Sequence, residues 1–271
     1  MSTTSPALQE NLVVLEKREA GVATLVMNRP ERMNAINKEL ATALNEALDR
    51  LSGDEEIRVV VVTGAGRAFC AGGDLGAIGK GHREKNTKEL QPILRSGMQV
   101  VLKMRTMLKP VIAAIHGPAA GAGMNIALAA DIRIASDEAS FGQNFAKVGL
   151  FPDYGGTFFL PELVGPAIAA EMFYTGDMID AATALRLGLV NRLVPSAQLE
   201  AETNALAQKI AQGPPVAIRA VKRMLLASSR RKLERALELE VEEQMKCFQS
   251  EDCGEGIQAF FEKRKPKFQG K

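Results

Sequence analysis

The sequence predicts an α/β fold in which parallel strands alternate with helices and a helical region completes the chain. Residues 57–63 and Val111–Ile115 are apolar runs with the pattern of strands that are buried on both faces. A glycine-rich turn follows each run, and helical periodicity resumes after the turns. After Pro195 every periodic segment is helical. We therefore expect a flexible arm at residues 1–10, an α/β core at 11–197 and a helical region at 198–271.

The first elements are predicted to be a pair of strands and a helix. Residues 11–17 and 21–27 alternate apolar and polar side chains, which predicts two strands joined by a turn at 19–21. Leucines and alanines recur at helical spacing over residues 37–51, and Asn37 is the expected N-cap of that helix.

The rest of the chain continues the alternation. The glycine-rich loop after the strand at 57–63 ends at Asp74 and Leu75, and the polar residues 80–88 are expected to be a mobile loop. The remaining predicted elements are, in order, a helix at residues 90–108, the strand Val111–Ile115, a helix at 124–130, a strand at 132–135, and helices at 198–211, 215–227, 229–248 and 254–263.

Length, charge and cysteine content limit the class of protein. The 271 residues are enough for a large core without disulfide bonds. The 34 Lys and Arg residues nearly balance the 32 Asp and Glu residues, which argues against an obligate nucleic-acid or membrane-surface protein. Three cysteines favour a reducing compartment, and the polar N-terminus indicates no secretory segment, so we expect a cytoplasmic protein. Two histidines and no metal-binding motif predict that there is no metal site.

Two glycine-rich turns contain candidate backbone donors. The first is residues 69–74 and the second is residues 119–125, and each follows a buried strand. Glycine and alanine allow a ligand to approach the backbone, and the second turn opens a helix whose first N–H groups have no internal partner. Two such N–H groups directed at one oxygen would form an oxyanion hole. Close packing of strand on helix would require the same small residues, and the glycines alone favour that interpretation.

Several segments in a fixed order resemble the enoyl-CoA hydratase/isomerase (crotonase) family. They begin with Asn28-Arg29-Pro30 and Met33-Asn34-Ala35, and the others are residues 68–75, 109–114, 121–136, 149–157, 184–190 and 254–264. The resemblance covers the chain from about residue 12 to its end. It implies a spiral of ββα turns followed by a helical trimerisation region, assembled as a homotrimer or as a hexamer built from two trimers. It also implies an acyl-CoA thioester substrate, with CoA as part of the substrate and no separate cofactor.

The resemblance assigns roles to individual residues of this sequence. The oxyanion hole would consist of the backbone N–H groups of Gly73 and Ala122. Phe260 and Lys263 match tail positions that reach a CoA bound to a neighbouring subunit, where an ammonium group suits a phosphate. The full set implied to contact substrate or CoA is Ala35, Ala71, Gly72, Asp74, Leu75, Gly121, Phe145, Tyr154, Phe260 and Lys263.

The carboxylates differ from those of typical hydratases in the family. The two usual glutamate positions hold Asn125 and Phe145, and neither side chain can transfer a proton. Asp153 stands where dienoyl-CoA isomerases and ring-epoxide phenylacetyl-CoA isomerases carry aspartate, and the tail resembles the latter group most. We therefore expect an enoyl-CoA double-bond or ring-type isomerase in which Asp153 shuttles one proton. Phe145, Phe151 and Tyr154 are candidates for an apolar wall that raises the pKa of this aspartate.

Other interpretations remain open at this stage. Asp153 could instead cap a helix that begins near Gly155. Hydratase activity is disfavoured by the missing glutamates, and displacement at an aryl-CoA, as in 4-chlorobenzoyl-CoA dehalogenases, is disfavoured because those relatives carry tryptophan at the position of Phe145. A family member that binds CoA esters without turnover is a further alternative.

A nucleic-acid partner is also considered, because some relatives bind RNA through a lysine-rich helix. The basic stretch of this chain, which includes Arg219, Lys222 and Arg231, is followed by glutamates that include Glu240. We interpret the stretch as a solvated face with helix-spaced ion pairs.

Overall fold

The computed structural model describes residues 14–227 and 229–271, so the expected arm at residues 1–10 lies outside the described residues. The strands are β1 (Val14–Glu19), β2 (Val22–Met27), β3 (Val59–Gly64), β4 (Val111–Ile115), β5 (Pro118–Ala120), β6 (Ile132–Ser136), β7 (Ser140–Gly142), β8 (Met178–Asp180) and β9 (Arg192–Val194). The helices are α1 (Lys38–Gly53), α2 (Leu75–Arg83), α3 (Gln91–Thr106), α4 (Ala122–Ala129), α5 (Gly156–Val164), α6 (Pro166–Thr175), α7 (Ala181–Arg186), α8 (Leu199–Ala211), α9 (Pro215–Ala227), α10 (Arg230–Gln249) and α11 (Glu251–Phe261).

The strands form two sheets. The larger sheet has the order β1-β2-β3-β4-β6-β9, and the smaller sheet has the order β5-β7-β8. β1 is antiparallel to β2, while every later pairing in the larger sheet is parallel. The carboxyl ends of β3 and β4 therefore lie at one edge of the sheet, where the two glycine-rich turns follow them.

Both faces of the larger sheet are covered. Val60 and Val62 of β3 point into the main core with α1 and α3, whereas Val59 and Val61 point to the opposite face, which α8 covers. This alternation explains the continuous apolar run in the sequence, because the four valines of β3 are buried on both faces of the sheet. The predicted α/β class is confirmed.

The predicted mobile loop at residues 80–88 is wrong. Helix α2 runs through Arg83, and a 3₁₀ turn at Thr87–Leu90 follows it. The Asp74 side chain starts the helix by accepting hydrogen bonds from Gly76 N and Ala77 N. Gly79 leaves room for α11, since a Cβ there would lie 2.9 Å from Ile257. The helix thus depends on a tertiary contact that the local sequence does not reveal.

Most longer helices begin and end within two residues of their predicted bounds, and the short elements were missed. The helix predicted at 254–263 is α11, which begins earlier because the Ser250 side chain accepts a hydrogen bond from Cys253 N at 3.1 Å. The first predicted strand begins outside the described residues and continues as β1 to Glu19. The elements that the sequence analysis did not predict are β5, β7, β8, β9, α2, α6 and α7. Helix α5 is the helix expected to begin near Gly155.

The helical region after β9 packs on the core. α8 covers one sheet face, α10 contacts α3 and α5, and α11 contacts α2. The interpretation of residues 219–243 as a solvated face fails at two positions, because Lys222 is 6% exposed and Glu240 is 2% exposed. Within the described ranges, no helix is both long enough and apolar enough to cross a membrane.

Candidate active site

The two glycine-rich turns lie side by side. Cys70 and Ala119 form an isolated parallel bridge, in which Cys70 N donates to Pro118 O at 3.2 Å and Ala120 N donates to Cys70 O at 3.0 Å. Gly73 and Ala122 each follow three residues after this bridge. The bridge therefore places the segments that carry Gly73 and Ala122, the two predicted oxyanion donors, next to each other.

Small residues make this approach possible. Gly72 has φ of +98°, and a Cβ there would lie 2.9 Å from Ala120 O and 3.6 Å from Ala122 N. A Cβ at Gly123 would lie 2.3 Å from Cys70 O. Any side chain at either position would push the turns apart.

The N–H groups of Gly73 and Ala122 have no acceptor within residues 14–227 and 229–271. Ile36 bridges the strand-like segment at Gly73, but its hydrogen bonds go to the neighbours: Ile36 N donates to Gly72 O and Asp74 N donates to Ile36 O. Ala122 is the first residue of α4, where a helical N–H has no partner one turn earlier and carries partial positive charge. Both donors are therefore available to a ligand oxygen.

Asp153 is a buried carboxyl group with one free oxygen. The residue is 7% exposed, and its Oδ2 accepts a hydrogen bond from Gln244 Nε2 at 3.2 Å. Its Oδ1 is buried and has no hydrogen-bond partner among the described residues. Burial, together with the nearby Glu240 carboxylate, raises the pKa of Asp153 to about 8. A carboxyl group of this kind can bind and release a proton near neutral pH.

The backbone around Asp153 is held by buried amides. Asn125 Nδ2 donates to Asp153 O at 2.7 Å, and Gln143 Nε2 donates to Asn125 Oδ1 at 2.6 Å. Asn125, which stands at one of the two glutamate positions, therefore serves the loop instead of offering a carboxylate. The next residue, Tyr154, has φ of +54°, a conformation that costs energy for an aromatic residue and that the surrounding contacts must enforce.

Helix α10 supplies further support for this loop. Glu240 Oε2 accepts from Gly155 N at 2.7 Å, and Glu240 Oε1 accepts from Thr157 N at 2.9 Å and from Thr157 Oγ1 at 2.5 Å. One turn later Gln244 Oε1 accepts from Phe151 N at 2.9 Å. The alternative interpretation of Asp153 as a helix cap is therefore wrong, since α5 has no side-chain cap of its own and Glu240 binds the N–H groups at its start.

A cavity of about 40 Å³ joins these groups. Its polar wall contains Gly73, Ala122, Asp153 and Asp74, and its apolar wall comes largely from α2, α3 and Phe248. A cavity of this size admits a few water molecules and is smaller than the pockets that usually hold small-molecule ligands. The complete lining is Ile36, Asn37, Gly73, Asp74, Ala77, Ile78, Leu90, Ile93, Leu94, Ala122, Asp153, Tyr154 and Phe248.

The two aspartates of the cavity lining differ in how many of their carboxylate oxygens accept hydrogen bonds. Asp74 Oδ2 accepts from Arg29 Nη2 at 3.1 Å, and Asp74 Oδ1 accepts from the N–H groups at the start of α2. Both oxygens of Asp74 are thus used in fixing the segment that carries Gly73. Asp153 is left as the carboxyl group of the cavity lining with an unpartnered oxygen.

The structure brings five of the predicted site residues to the cavity: Gly73, Asp74, Ala122, Asp153 and Tyr154. Phe145 is buried against Gly121, whose Cβ would lie 3.4 Å from its ring. The other predicted residues lie outside this lining; they are Ala35, Ala71, Gly72, Leu75, Gly121, Phe260 and Lys263.

The predicted apolar wall around Asp153 is only partly correct. Tyr154 lines the cavity, but Phe145 and Phe151 do not, and Phe248 of α10 takes part instead. Phe260 is 57% exposed on α11, and Lys263 is exposed just after it, so both lie outside the cavity of their own chain. In the part of the chain that the structure describes, no three or more His, Cys, Asp or Glu side chains come together as a metal site.

Sequence reasoning missed Glu240, Gln244 and Phe248. All three lie on one side of α10 at spacings of four residues, which is the helical repeat that places side chains on one face. Their buried positions break the otherwise charged pattern of α10, since neither Gln244 nor Phe248 fits a solvated face. That repeat was the available signal, and the surrounding charges concealed it.

Known proteins share this fold and sequence over nearly the whole chain. The sequence profile of the family described as enoyl-CoA hydratase/isomerase matches residues 17–271. A probable enoyl-CoA hydratase of Rhodobacter capsulatus is 42% identical over 254 residues, which are 93% of this chain and 95% of that protein. The 1,2-epoxyphenylacetyl-CoA isomerase of Escherichia coli is 37% identical over 265 residues, which are 95% of this chain and 98% of that protein. The crystal structure of an enoyl-CoA hydratase from Mycobacterium avium subsp. paratuberculosis matches with a TM-score of 0.86 at 31% identity, covering 95% of this chain and 98% of that one.

Proposed function

Since the chain belongs to the enoyl-CoA hydratase/isomerase family, in which the crotonase fold is shared, we propose that it isomerises the double bond of an enoyl-CoA thioester. Family membership and the crotonase-like fold were both predicted from the sequence, and both are confirmed. The reaction moves one proton and needs no cofactor, because CoA is part of the substrate. A ring-type CoA ester, as in the name of the Escherichia coli relative, is the related alternative within the same reaction class.

In the proposed mechanism Asp153 acts first as base and then as acid. Its Oδ1 takes a proton from C2 of a 3-enoyl-CoA, and the electron pair moves through the thioester carbonyl to give a dienolate. The N–H groups of Gly73 and Ala122 hold the resulting oxyanion. The same carboxyl group then returns the proton at C4, and the product is the 2-enoyl isomer. Each proton removed is returned, so the enzyme ends in its starting state.

One observation carries this proposal: the free oxygen of Asp153 belongs to a cavity lining that also contains both residues with unpartnered N–H groups. A 1,3-proton shift needs one titratable group and one oxyanion site, and this arrangement supplies that minimum. Asp74, the other carboxylate of the lining, is held by Arg29 and by the start of α2. Its engagement argues against a second acid or base.

Hydration is the second candidate, because the relatives include a probable enoyl-CoA hydratase and a crotonyl-CoA hydratase that are 42% and 36% identical to this chain. Adding water requires a group that deprotonates the water and a group that delivers a proton. Asn125 and Phe145 cannot do either, and Glu240 has both oxygens occupied by backbone N–H groups and Thr157. These features favour isomerisation over hydration.

The first test is product analysis with 3-enoyl-CoA and, separately, 2-enoyl-CoA, using wild type beside Asp153→Asn. We expect the wild type to interconvert the isomers and the variant to lose about 10²–10⁴ in rate, the usual contribution of a general acid-base group. Binding of the CoA ester should persist in the variant, because the oxyanion N–H groups are unchanged.

Two outcomes would overturn this assignment. Full isomerase activity in Asp153→Asn would exclude Asp153 as the shuttle. Formation of 3-hydroxyacyl-CoA by the wild type, with no isomer interconversion, would establish the hydratase instead. Asp177→Asn is a matched control, since Asp177 is exposed and pairs with Lys147 away from the cavity.

We further propose an oligomeric state, a cellular location and the class of partner for this protein. Phe260 and Lys263, exposed at the end of α11, are suited to meet the CoA of a neighbouring subunit in a homotrimer or hexamer. The cytoplasm is the proposed location. Nucleic acid is not a proposed partner, because Lys222 of the basic stretch is buried in an ion pair with Asp131 and Arg230 pairs with Glu234.

A further inference from the structure

Glu240 connects α10 to the loop that carries Asp153. It is 2% exposed, and its two oxygens accept hydrogen bonds from Gly155 N, Thr157 N and the Thr157 hydroxyl. Burying a carboxylate is costly unless its oxygens are satisfied, so this residue has a fixed position and a fixed set of partners. Gly155 and Thr157 lie two and four residues after Asp153.

We propose that Glu240 is a positioning residue for Asp153, which holds the start of α5 so that Oδ1 of Asp153 faces the oxyanion donors, and which places a negative charge behind that carboxyl group. The inference rests on the proposed function, in which Asp153 is the proton shuttle. Glu240 itself is not part of the cavity lining, so it acts through the loop and through its charge and does not touch the substrate.

Glu240 is the charged group that contributes to the raised pKa of Asp153. Burial is the largest cause of the raised pKa of Asp153, and the Glu240 carboxylate adds to it. Tyr154 and Asp74 line the same cavity as Asp153; burial raises the pKa of Tyr154, with further contributions from Asp153 and Cys70, and Asp74 is paired with Arg29. Gln244 and Asn125 are neutral. Removing the charge of Glu240 should therefore make Asp153 easier to ionise.

Two variants separate the charge of Glu240 from its reach. Glu240→Gln keeps the length, removes the charge and replaces one acceptor oxygen by an NH2 group. Glu240→Asp keeps the charge and both acceptor oxygens and shortens the side chain by one methylene. The wild-type kcat/KM should rise with pH through an apparent pKa near 8, because the base form of Asp153 is required. In Glu240→Gln this rise should move to lower pH. In Glu240→Asp it should stay in place while kcat falls about 10-fold or more, since small misplacements of a catalytic group are costly.

A merely structural role would lower stability without moving the pH profile. The proposal requires both the shift of the pH profile in Glu240→Gln and the fall of kcat in Glu240→Asp. Wild-type behaviour of either variant therefore overturns it. Glu238→Gln is the matched control, because the Glu238 side chain lies on the same helix, is 44% exposed and pairs with Arg95. It should leave the pH profile and kcat unchanged.

Hydrogen exchange distinguishes failure of this inference from failure of the proposed function. If the wild type does not isomerise any enoyl-CoA, the proposed function fails, and exchange at the Gly155 and Thr157 amides still tests the contact. We expect exchange at these amides to be at least 10-fold faster in Glu240→Asp than in the wild type. Should Glu240→Asp not fold, Thr157→Val removes one donor to Glu240 and should also speed exchange at Gly155. Unchanged exchange would overturn the inference.

Discussion

At the scale of single residues, Asp153 shows a conflict between stability and the proposed chemistry. Its Oδ1 is buried without a partner among the described residues, an arrangement that penalises the charged form and raises the pKa to about 8 from a usual 3.8. The unfolded chain has no such penalty. Between these two values the unfolded state has already lost its proton while the folded state retains it, so stability falls as the pH rises.

Asp153→Asn should therefore stabilise the protein, and the gain should grow with pH. An asparagine can still accept the hydrogen bond from Gln244 and never carries a charge. Near pH 4 the variant and the wild type should melt at similar temperatures, because the folded wild type keeps the Asp153 proton there and the unfolded chain has lost that proton only in part. By pH 9 the variant should be more stable by about 1 kcal/mol or more, which corresponds to about 2–4 °C in Tm.

Thermal melts of both proteins from pH 4 to 9 check this prediction. Glu240 titrates in both, so its direct contribution largely cancels in the comparison. Asp177→Asn, with 74% of the side chain exposed, should show no such growing difference. A Tm difference that does not change with pH would contradict the argument.

At the scale of secondary-structure elements, α3 forms the support on which Tyr154 rests. Gly97 lies on the buried side of α3, and a Cβ there would lie 1.8 Å from Tyr154 Cζ and 2.2 Å from its Oη. The helix backbone thus contacts the aromatic ring directly. Because Tyr154 follows Asp153 and is held at φ of +54°, this contact also supports the geometry of the catalytic candidate.

Gly97→Ala should be destabilising, although alanine usually improves a helix interior by about 1 kcal/mol over glycine. The overlap with Tyr154 should cost about 1–3 kcal/mol, as overpacking in a core does, and isomerase activity should fall with it. Gly53→Ala is the control, since a Cβ at Gly53, also a helix residue, meets nothing within 4 Å. Chemical denaturation of both variants decides the point, and a Gly97→Ala protein as stable as wild type would refute it.

The elements that were predicted well from the sequence are those in which the pattern of apolar residues matches the positions that are buried. The helices α1 and α3 carry regular apolar stripes, and β3 and β4 are continuous apolar runs, so local pattern and final position agree. Helix α2 contains three glycines and depends on α11, which local pattern cannot report.

The candidate site, like the fold, could be predicted only in part from the sequence. Gly73, Ala122 and Asp153 were placed by family resemblance, because the turns and the aspartate stand in recognisable motifs. Glu240 was assigned to the solvent because charged residues surround it on α10, and its burial depends on where the distant helix α5 begins. The four-residue repeat of Glu240, Gln244 and Phe248 marks a buried side of α10, but it does not show that Glu240 binds the start of a helix distant in sequence.

At the scale of the whole molecule, one side of α9 is fixed to the core and the other side is exposed to solvent. Lys222 donates to Met104 O at 2.9 Å and to Lys109 O at 2.7 Å, and it pairs with Asp131 at 2.8 Å. The residues around it, Val221, Met224 and Leu225, are 59%, 70% and 67% exposed. Apolar side chains at this spacing form one helix face, and such a patch commonly marks a contact with another protein. We expect this face to contact another subunit in the proposed trimer or hexamer.

Met224→Glu should therefore weaken assembly while leaving the fold of each chain intact. A buried charge without a partner costs several kcal/mol at an interface, whereas the same glutamate on a solvated helix costs little. Sedimentation velocity at several protein concentrations should show a shift from the oligomer toward lower mass, with circular dichroism unchanged. Thr42→Glu places the same charge on an exposed position of α1 and should leave the sedimenting species as in wild type. Identical sedimentation of Met224→Glu and wild type would show that this face of α9 lies outside the subunit contact.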